Sequence, residues 1–252
     1  FWAWRYGRVH KFNSLYHRVF SLFPFESQLL KKHGVNFSYV GHPLAKNLSV
    51  DSNVEELKKG LGIPLDKTVI AILPGSRKSE IYHHSKPLTD FISTYKKQNV
   101  DVEIILALNK ESDLLGELRQ LSKKISVIYD STQKVLACCD IAIVASGTAT
   151  LEAAILAKPM VVIYKSNKLS NFILSNFFLK TKFISLPNIL SQEEIVFELR
   201  QNQVSGKEIS EKVELTFKNQ EIISEKLSSI RDSLLVTDSN KFSVALREIL
   251  AK

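Results

Sequence analysis

Four short runs with almost no polar interruption limit what this chain can fold into: TVIAIL, VEIILAL, DIAIVA and PMVVIY. A strand with one wet face alternates polar and apolar residues. A strand covered on both faces reads as continuous Val, Ile, Leu and Ala. Each of these runs is followed by a turn and then by a stretch with helical spacing. That rhythm predicts an α/β layer with a largely parallel sheet and helices on both faces.

Along the chain, YHRVFSLF reads as a strand and PFESQLLKKHG as a short helix, with Pro24 in its first turn and Gly34 as its stop. NFSYVGHP is the next strand. The polar, turn-rich LAKNLSVDSNVEELKKGLGIPLDK reads as a linker with one or two helical turns. TVIAILPGSR is then a strand entering a glycine turn, and a helix is expected from Ser85 to Lys97. VEIILAL, ISVIYD, DIAIVASGT and PMVVIYK read as strands; ESDLLGELRQLSKK, TQKVLACC, TATLEAAILAK and NKLSNFILSNFFL read as helices. KFISLPN reads as a last short extended piece, SQEEIVFELRQ as a helix, and the remainder from about Ser205 as polar and helical.

Composition excludes several classes. Apolar residues make up 44% of the 252 and charged residues 24%, which rules out a disordered tail, a collagen and a coiled-coil rod. No apolar run approaches the roughly 18 residues of a membrane span. Cys138 and Cys139 are adjacent in an apolar stretch and read as buried small residues in a reducing compartment. The net charge is +8, and residues 1–47 carry seven Lys or Arg against Glu26 alone. Such a segment suits an anionic membrane surface, a phosphorylated ligand or a nucleic acid; it equally suits a solvated face.

In open α/β sheets, ligands bind at the carboxyl ends of the strands, so the turns after TVIAIL and DIAIVA matter most. In the first, Gly75 lets backbone approach a ligand, Ser76 precedes a helix start, and Arg77 adds a forked cation. A plain strand-to-helix turn is the alternative. In the second, Ser146, Gly147 and Thr148 precede a helix without bulky side chains, an anion cradle. Glu152 is expected in the first turn of that helix, either as a cap or as an acceptor for the two hydroxyls of a ribose. The pair suits one nucleoside diphosphate.

Other chemistry finds little support. GxGxxG, GxxxxGK[ST], CxxC, HExxH and GxSxG do not occur. His83 and His84 are helix neighbours whose side chains diverge, so no metal is expected. His42 in GHP either faces a cleft or bonds its own loop. Phe172, Ile173, Phe177 and Phe178, flanked by Lys165, Lys168, Lys180 and Lys182, form either an interfacial face or core. Phe1, Trp2, Trp4 and Phe12 lie among Arg5, Arg8 and Lys11, but without an RNA-binding signature no nucleic-acid partner is expected.

Seven stretches carry a family resemblance: WAWRYGRV at 2–9, FPFE at 23–26, VGHPL at 40–44, LPGSRKSEI at 73–81, ASGTATLEAAI at 145–155, KPMVVIYK at 158–165 and ISLPNIL at 184–190. In this order they resemble the bacterial lipid-A-disaccharide synthases. The resemblance implies a GT-B-type glycosyltransferase, with a Rossmann-like C-terminal nucleotide-sugar domain and the remnant of an N-terminal Rossmann-like domain. Its expected division is residues 1–45 as the end of the acceptor-side domain, 46–62 as linker, 63–204 as the UDP-sugar domain and 205–252 as C-terminal helices.

It further implies transfer of 2,3-diacylglucosamine from UDP-2,3-diacylglucosamine to 2,3-diacylglucosamine 1-phosphate, with inversion and without metal or other cofactor. The cell location implied is cytoplasmic, peripheral on the inner face of the inner membrane against its anionic surface; a homo-oligomer is compatible. Gly75, Ser76 and Arg77 resemble the diphosphate side, with Arg77 stabilising the leaving group. Ser146, Gly147 and Thr148 resemble the cradle, Glu152 the ribose acid, and Asn188 a position lining the nucleotide-sugar cleft. Lys46 stands where the family usually has an acid. The expected base belongs to a part preceding WAWR in full-length members, so the chain reads as a fragment with no assignable base and is expected to be inactive alone. A peptidoglycan UDP-N-acetylglucosamine transferase or a UDP-sugar epimerase is the enzymatic alternative; a basic membrane- or RNA-binding module is the other.

Overall fold

The computed structural model describes residues 6–48, 53–110, 114–166, 182–235, 243–244 and 246–247. Val19–Ser21 (β1) and Phe37–Tyr39 (β2) pair in parallel as a small two-stranded sheet. Between them lies a helix over Pro24–Lys32, after a short helix at Phe12–Leu15; these are α2 and α1. Pro24 opens α2, where its missing N–H costs nothing, and Gly34 beyond its end takes φ +62°. Two helices follow, Pro43–Asn47 (α3) and Val54–Leu61 (α4), with Lys46 in the last turn of α3. The His42 side chain accepts from the Leu44 amide and caps α3, the loop-bonding role.

From Thr68 the βα rhythm is regular. Thr68–Leu73 (β3) leads into Lys78–Gln98 (α5), Val102–Leu108 (β4) into Glu117–Leu121 (α6), and Ser126–Tyr129 (β5) into Thr132–Cys138 (α7). Ile141–Ala145 (β6) leads into Thr148–Ile155 (α8), followed by Met160–Tyr164 (β7). Leu186–Ser191 (α9) precedes Phe197–Arg200 (β8), and Gly206–Lys218 (α10) and Gln220–Leu234 (α11) follow. All six strands from β3 to β8 are parallel, in the order β5-β4-β3-β6-β7-β8. This is the doubly wound Rossmann order, and its direction reverses between β3 and β6.

Both sheet faces are covered, as the unbroken apolar runs require. Val69, Ala71, Leu73, Ala142, Val144 and Val162 face one core together with Leu151, Ala154, Leu227 and Ile230. Their strand neighbours Ile70, Ile72, Ile143, Val161 and Ile163 face the other, with Leu88, Phe91, Ile209 and Val213. The C-terminal helices therefore complete both cores. The end of α11 also reaches the first sheet: Tyr39 Oη donates to the Ser233 carbonyl at 2.7 Å, and the His42 amide to Leu234 at 3.1 Å.

Three expectations change. The long helix starts at Lys78, not Ser85, because the Glu80 carboxylate reaches back to accept from the Arg77 amide and caps the helix directly off the glycine turn; Pro87 lies inside it, buried. SLPN is the start of α9 rather than extended. SQEEIVFELRQ is not helical: Phe197–Arg200 is the edge strand paired with β7, from Val161↔Phe197 to Tyr164↔Arg200. Its apolar spacing fits either period over so short a stretch, and the open edge of β7 decides it. NKLSNFILSNFFL beyond residue 166, and residues 1–5, lie outside the described residues. Cys138 and Cys139 are free and buried, with burial pushing the Cys139 thiol up to about 12.

Candidate functional site

At the point where strand order reverses, Leu73 and Val144 are register partners at the carboxyl ends of β3 and β6. The chain leaves both strands side by side, so the turns at 74–77 and 146–149 meet over one cavity. That cavity has a volume of about 260 Å³, and its walls include Gly75, Ser76, Ser146, Gly147, Thr148 and Glu152. Six of the eight residues expected from sequence are thus brought together. Glu80, Asn109 and Thr132 complete the polar wall.

The two turns differ in chemistry. At the first, the Glu80 carboxylate folds back onto the turn. Its Oε2 accepts from the amides of Ser76 and Arg77, each at 3.3 Å, and its Oε1 from Arg77 Nη1 at 2.8 Å. The donors expected to cradle a phosphate there already hold a carboxylate. Gly75 makes the seat: at φ +132°, a Cβ on it would lie 2.9 Å from Glu80 Cβ. Arg77 is not among the lining residues; its side chain is 79% exposed while Glu80 is 21% exposed.

At the second turn no side chain caps α8; the Thr150 amide donates to the Gly147 carbonyl, and the Thr148 and Ala149 amides ahead of it are left for solvent or a ligand. Gly147 and Thr148 are exposed there, and a Cβ on Gly147 would meet nothing within 4 Å. Ser146 contributes less than expected. Its amide donates to Ile163 and its hydroxyl to the Ile184 carbonyl at 2.8 Å, leaving only an acceptor. Thr150, fully buried, donates to the Gly147 carbonyl and holds the turn.

Glu152 is the fifth residue of α8, one turn in, so it does not cap the helix. It lines the cavity and accepts from Gln133 Nε2 at 2.9 Å, which fixes one carboxylate oxygen. Asn188 is not at the cavity. It is completely buried, its Oδ1 accepting from the Ile195 and Val196 amides and its Nδ2 donating to the Val196 carbonyl and to Glu198. The expectation that it lines the cleft gives way to a structural role.

His84 was read only as a poor metal ligand, yet it supports the site. Its ring is buried on α5; Nε2 accepts from the Lys165 amide at 3.0 Å, and Nδ1 lies 2.6 Å from the Pro74 carbonyl. With Nε2 accepting, the proton sits on Nδ1 and donates to Pro74. The imidazole thereby ties the first turn to the end of β7, and burial lowers its pKa. The sequence signal available for the missed wall was position: Asn109 directly follows β4 and Thr132 opens the helix after β5, both at carboxyl strand ends. Glu80 was legible as the acid three residues after Arg77.

Among the described residues no group of three or more His, Cys, Asp or Glu could hold a metal ion, and no helix is long and apolar enough to cross a membrane.

Comparison with known proteins adds the family. Residues 1–250 match the family model described as Lipid-A-disaccharide synthetase. A lipid-A-disaccharide synthase of Colwellia psychrerythraea is 34% identical over 260 residues, covering 99% of this chain and 65% of that protein. The Acinetobacter baylyi lipid-A-disaccharide synthase is 34% identical over 232 residues, covering 87% and 58%. The chain thus spans about three fifths of the length of these relatives.

Among solved structures, an Anabaena protein in complex with UDP and glucose aligns with TM-score 0.53 at 14% identity, over 97% of this chain and 65% of that one. A wall teichoic acid polymerase aligns with TM-score 0.56 at 16% identity, over 97% and 60%. A glycosyltransferase involved in lipopolysaccharide biosynthesis aligns with TM-score 0.53 at 10% identity, over 91% and 61%. At such identities the likeness concerns the fold, which is the α/β arrangement of GT-B glycosyltransferases.

Proposed function

The chain belongs to the lipid-A-disaccharide synthetase family, and from that membership we propose that it serves the transfer of 2,3-diacylglucosamine from UDP-2,3-diacylglucosamine to 2,3-diacylglucosamine 1-phosphate. The product is the tetraacyl disaccharide phosphate of lipid A, and UDP leaves. The observation that carries the reading is the cavity that the exits of β3 and β6 share, with the uncapped terminus of α8 on one side and the 74–77 turn on the other.

In this reading the acceptor hydroxyl attacks the sugar carbon from the face opposite UDP, and the glycosidic C–O bond breaks as the new one forms. Negative charge grows on the diphosphate. The leading amides of α8 stabilise it in place, and the Arg77 guanidinium joins them by turning away from Glu80. Glu152, one oxygen already held by Gln133, presents the other to the ribose hydroxyls. None of the described residues is assigned as the base that takes the acceptor proton. The acyl sugars place the reaction at the inner face of the inner membrane, and the net charge of +6 over residues 1–47 suits an anionic surface.

Titration calorimetry with UDP, combined with crystallographic mapping, tests the site. UDP between 74–77 and 146–152 supports the reading; UDP bound out of reach of both turns overturns it. Formation of the disaccharide phosphate from both acyl sugars, in an assay that holds the family's full-length enzyme as reference, tests the transfer.

A further inference from the structure

The cavity proposed for a nucleoside diphosphate has an anion already seated in its wall. We propose that Glu80 is a specificity-determining residue of this cavity: its carboxylate competes with a ligand's diphosphate for Arg77 and for the amides of the 74–77 turn, and so sets how tightly a nucleoside diphosphate is retained. This inference rests on the reading of the cavity as a UDP site.

Four observations carry it. Glu80 lines the cavity directly. Its two oxygens take three donors that the turn would otherwise offer to phosphate: the Ser76 amide, the Arg77 amide and Arg77 Nη1. The carboxylate is only 21% exposed, so its charge is less screened than that of a surface acid. Gly75 allows this close seat, since any side chain there would collide with Glu80.

A diphosphate entering the cavity therefore meets a fixed like charge. It gains Arg77 only by drawing the guanidinium away from Glu80, a movement open to a side chain 79% exposed. The uncharged part of the ligand feels neither effect. Glu80 thus lowers affinity for the anionic portion alone, which favours departure of UDP after transfer, where product release can limit turnover.

The experiment compares uridine, UDP and inorganic pyrophosphate by calorimetry on the wild-type chain and on Glu80→Gln. Glutamine keeps an oxygen acceptor for the helix cap and removes the charge. The expected result is a gain of about three- to tenfold for UDP and for pyrophosphate with uridine unchanged, shrinking in high salt. Glu80→Ala, which removes cap and charge together, gives a second measure: the ratio of UDP to uridine affinity rises there too, even as the melting temperature falls.

Unchanged or weaker anion binding in Glu80→Gln overturns the proposal, as does an equal loss for all three ligands, the mark of a purely structural cap. Failure of wild type to bind UDP or uridine overturns the nucleotide reading instead, and the pyrophosphate comparison still decides the role of Glu80.

Discussion

Asn188 Nδ2 donates to Glu198 Oε1 at 2.9 Å, and this contact joins α9 to the edge strand β8 in the protein interior. Glu198 is 3% exposed and also accepts from the Ile184 and Ser185 amides, the Ser185 hydroxyl and Arg200 Nη2. A buried carboxylate is tolerable when every lone pair is used and a cation lies beside it. The segment from 184 to 200 is therefore organised around one acid.

Asn188→Ala takes the Asn188 partner from both the amide and the carbonyl of Val196, leaves the Ile195 amide only its longer bond to the Glu193 carbonyl, and removes one donor from Glu198. We expect a loss of roughly 2–4 kcal/mol in unfolding free energy, the scale of several orphaned buried groups. Chemical denaturation measures it. Unchanged stability with weakened UDP binding would instead place Asn188 in the ligand site.

The two site glycines separate by the same logic. Gly75→Ala forces a Cβ against Glu80 at a positive φ, and about 1–3 kcal/mol of stability is expected to go. Gly147→Ala meets open space and should leave the fold within about 0.5 kcal/mol of wild type. Thermal melts of both variants check the contrast, and equal destabilisation would refute it.

Arg77 and Glu152 should act on different parts of a ligand. Arg77→Ala is expected to weaken UDP by about 1 kcal/mol, less than a buried charged hydrogen bond, because its side chain is highly exposed. Uridine affinity should not change. Glu152→Gln should weaken uridine and UDP alike, by about 1–2 kcal/mol. If both affinities survive Glu152→Gln, its carboxylate serves only Gln133.

Burial lowers the pKa of His84 and of His42 below the usual 6.5. Below that value the unfolded chain binds protons that the folded chain refuses, so ν_U exceeds ν_N and stability rises with pH. Around His84 the neighbouring charges are Glu80, which favours the proton, and His83 and Lys165, which oppose it. The stabilisation is complete above pH 6.5 and declines as pH falls through the window below it. Denaturation at pH 7.5 and 5.5 should show this loss in wild type, and a smaller one in His84→Gln. An identical slope in the variant would exclude His84 as a source.

The order of apolar runs and glycine turns determined the parallel sheet, its two covered faces and the two turns that meet over the cavity. These follow from local rules: a strand with no polar residue must be covered on both sides, and a Rossmann order places the first and fourth strand exits together. Gly75, Ser76, Ser146, Gly147, Thr148 and Glu152 were legible for that reason. What the donors of those turns bind was not. Whether FELR became strand or helix depended on the open edge of β7, and the burial of Asn188 depended on Glu198 arriving with that strand. Likewise, only the folded turn brings the Glu80 carboxylate onto the Ser76 and Arg77 amides. A hydrogen-bonding group carries its capacity in the sequence, but its partner is set by which neighbours the tertiary fold brings within about 3 Å.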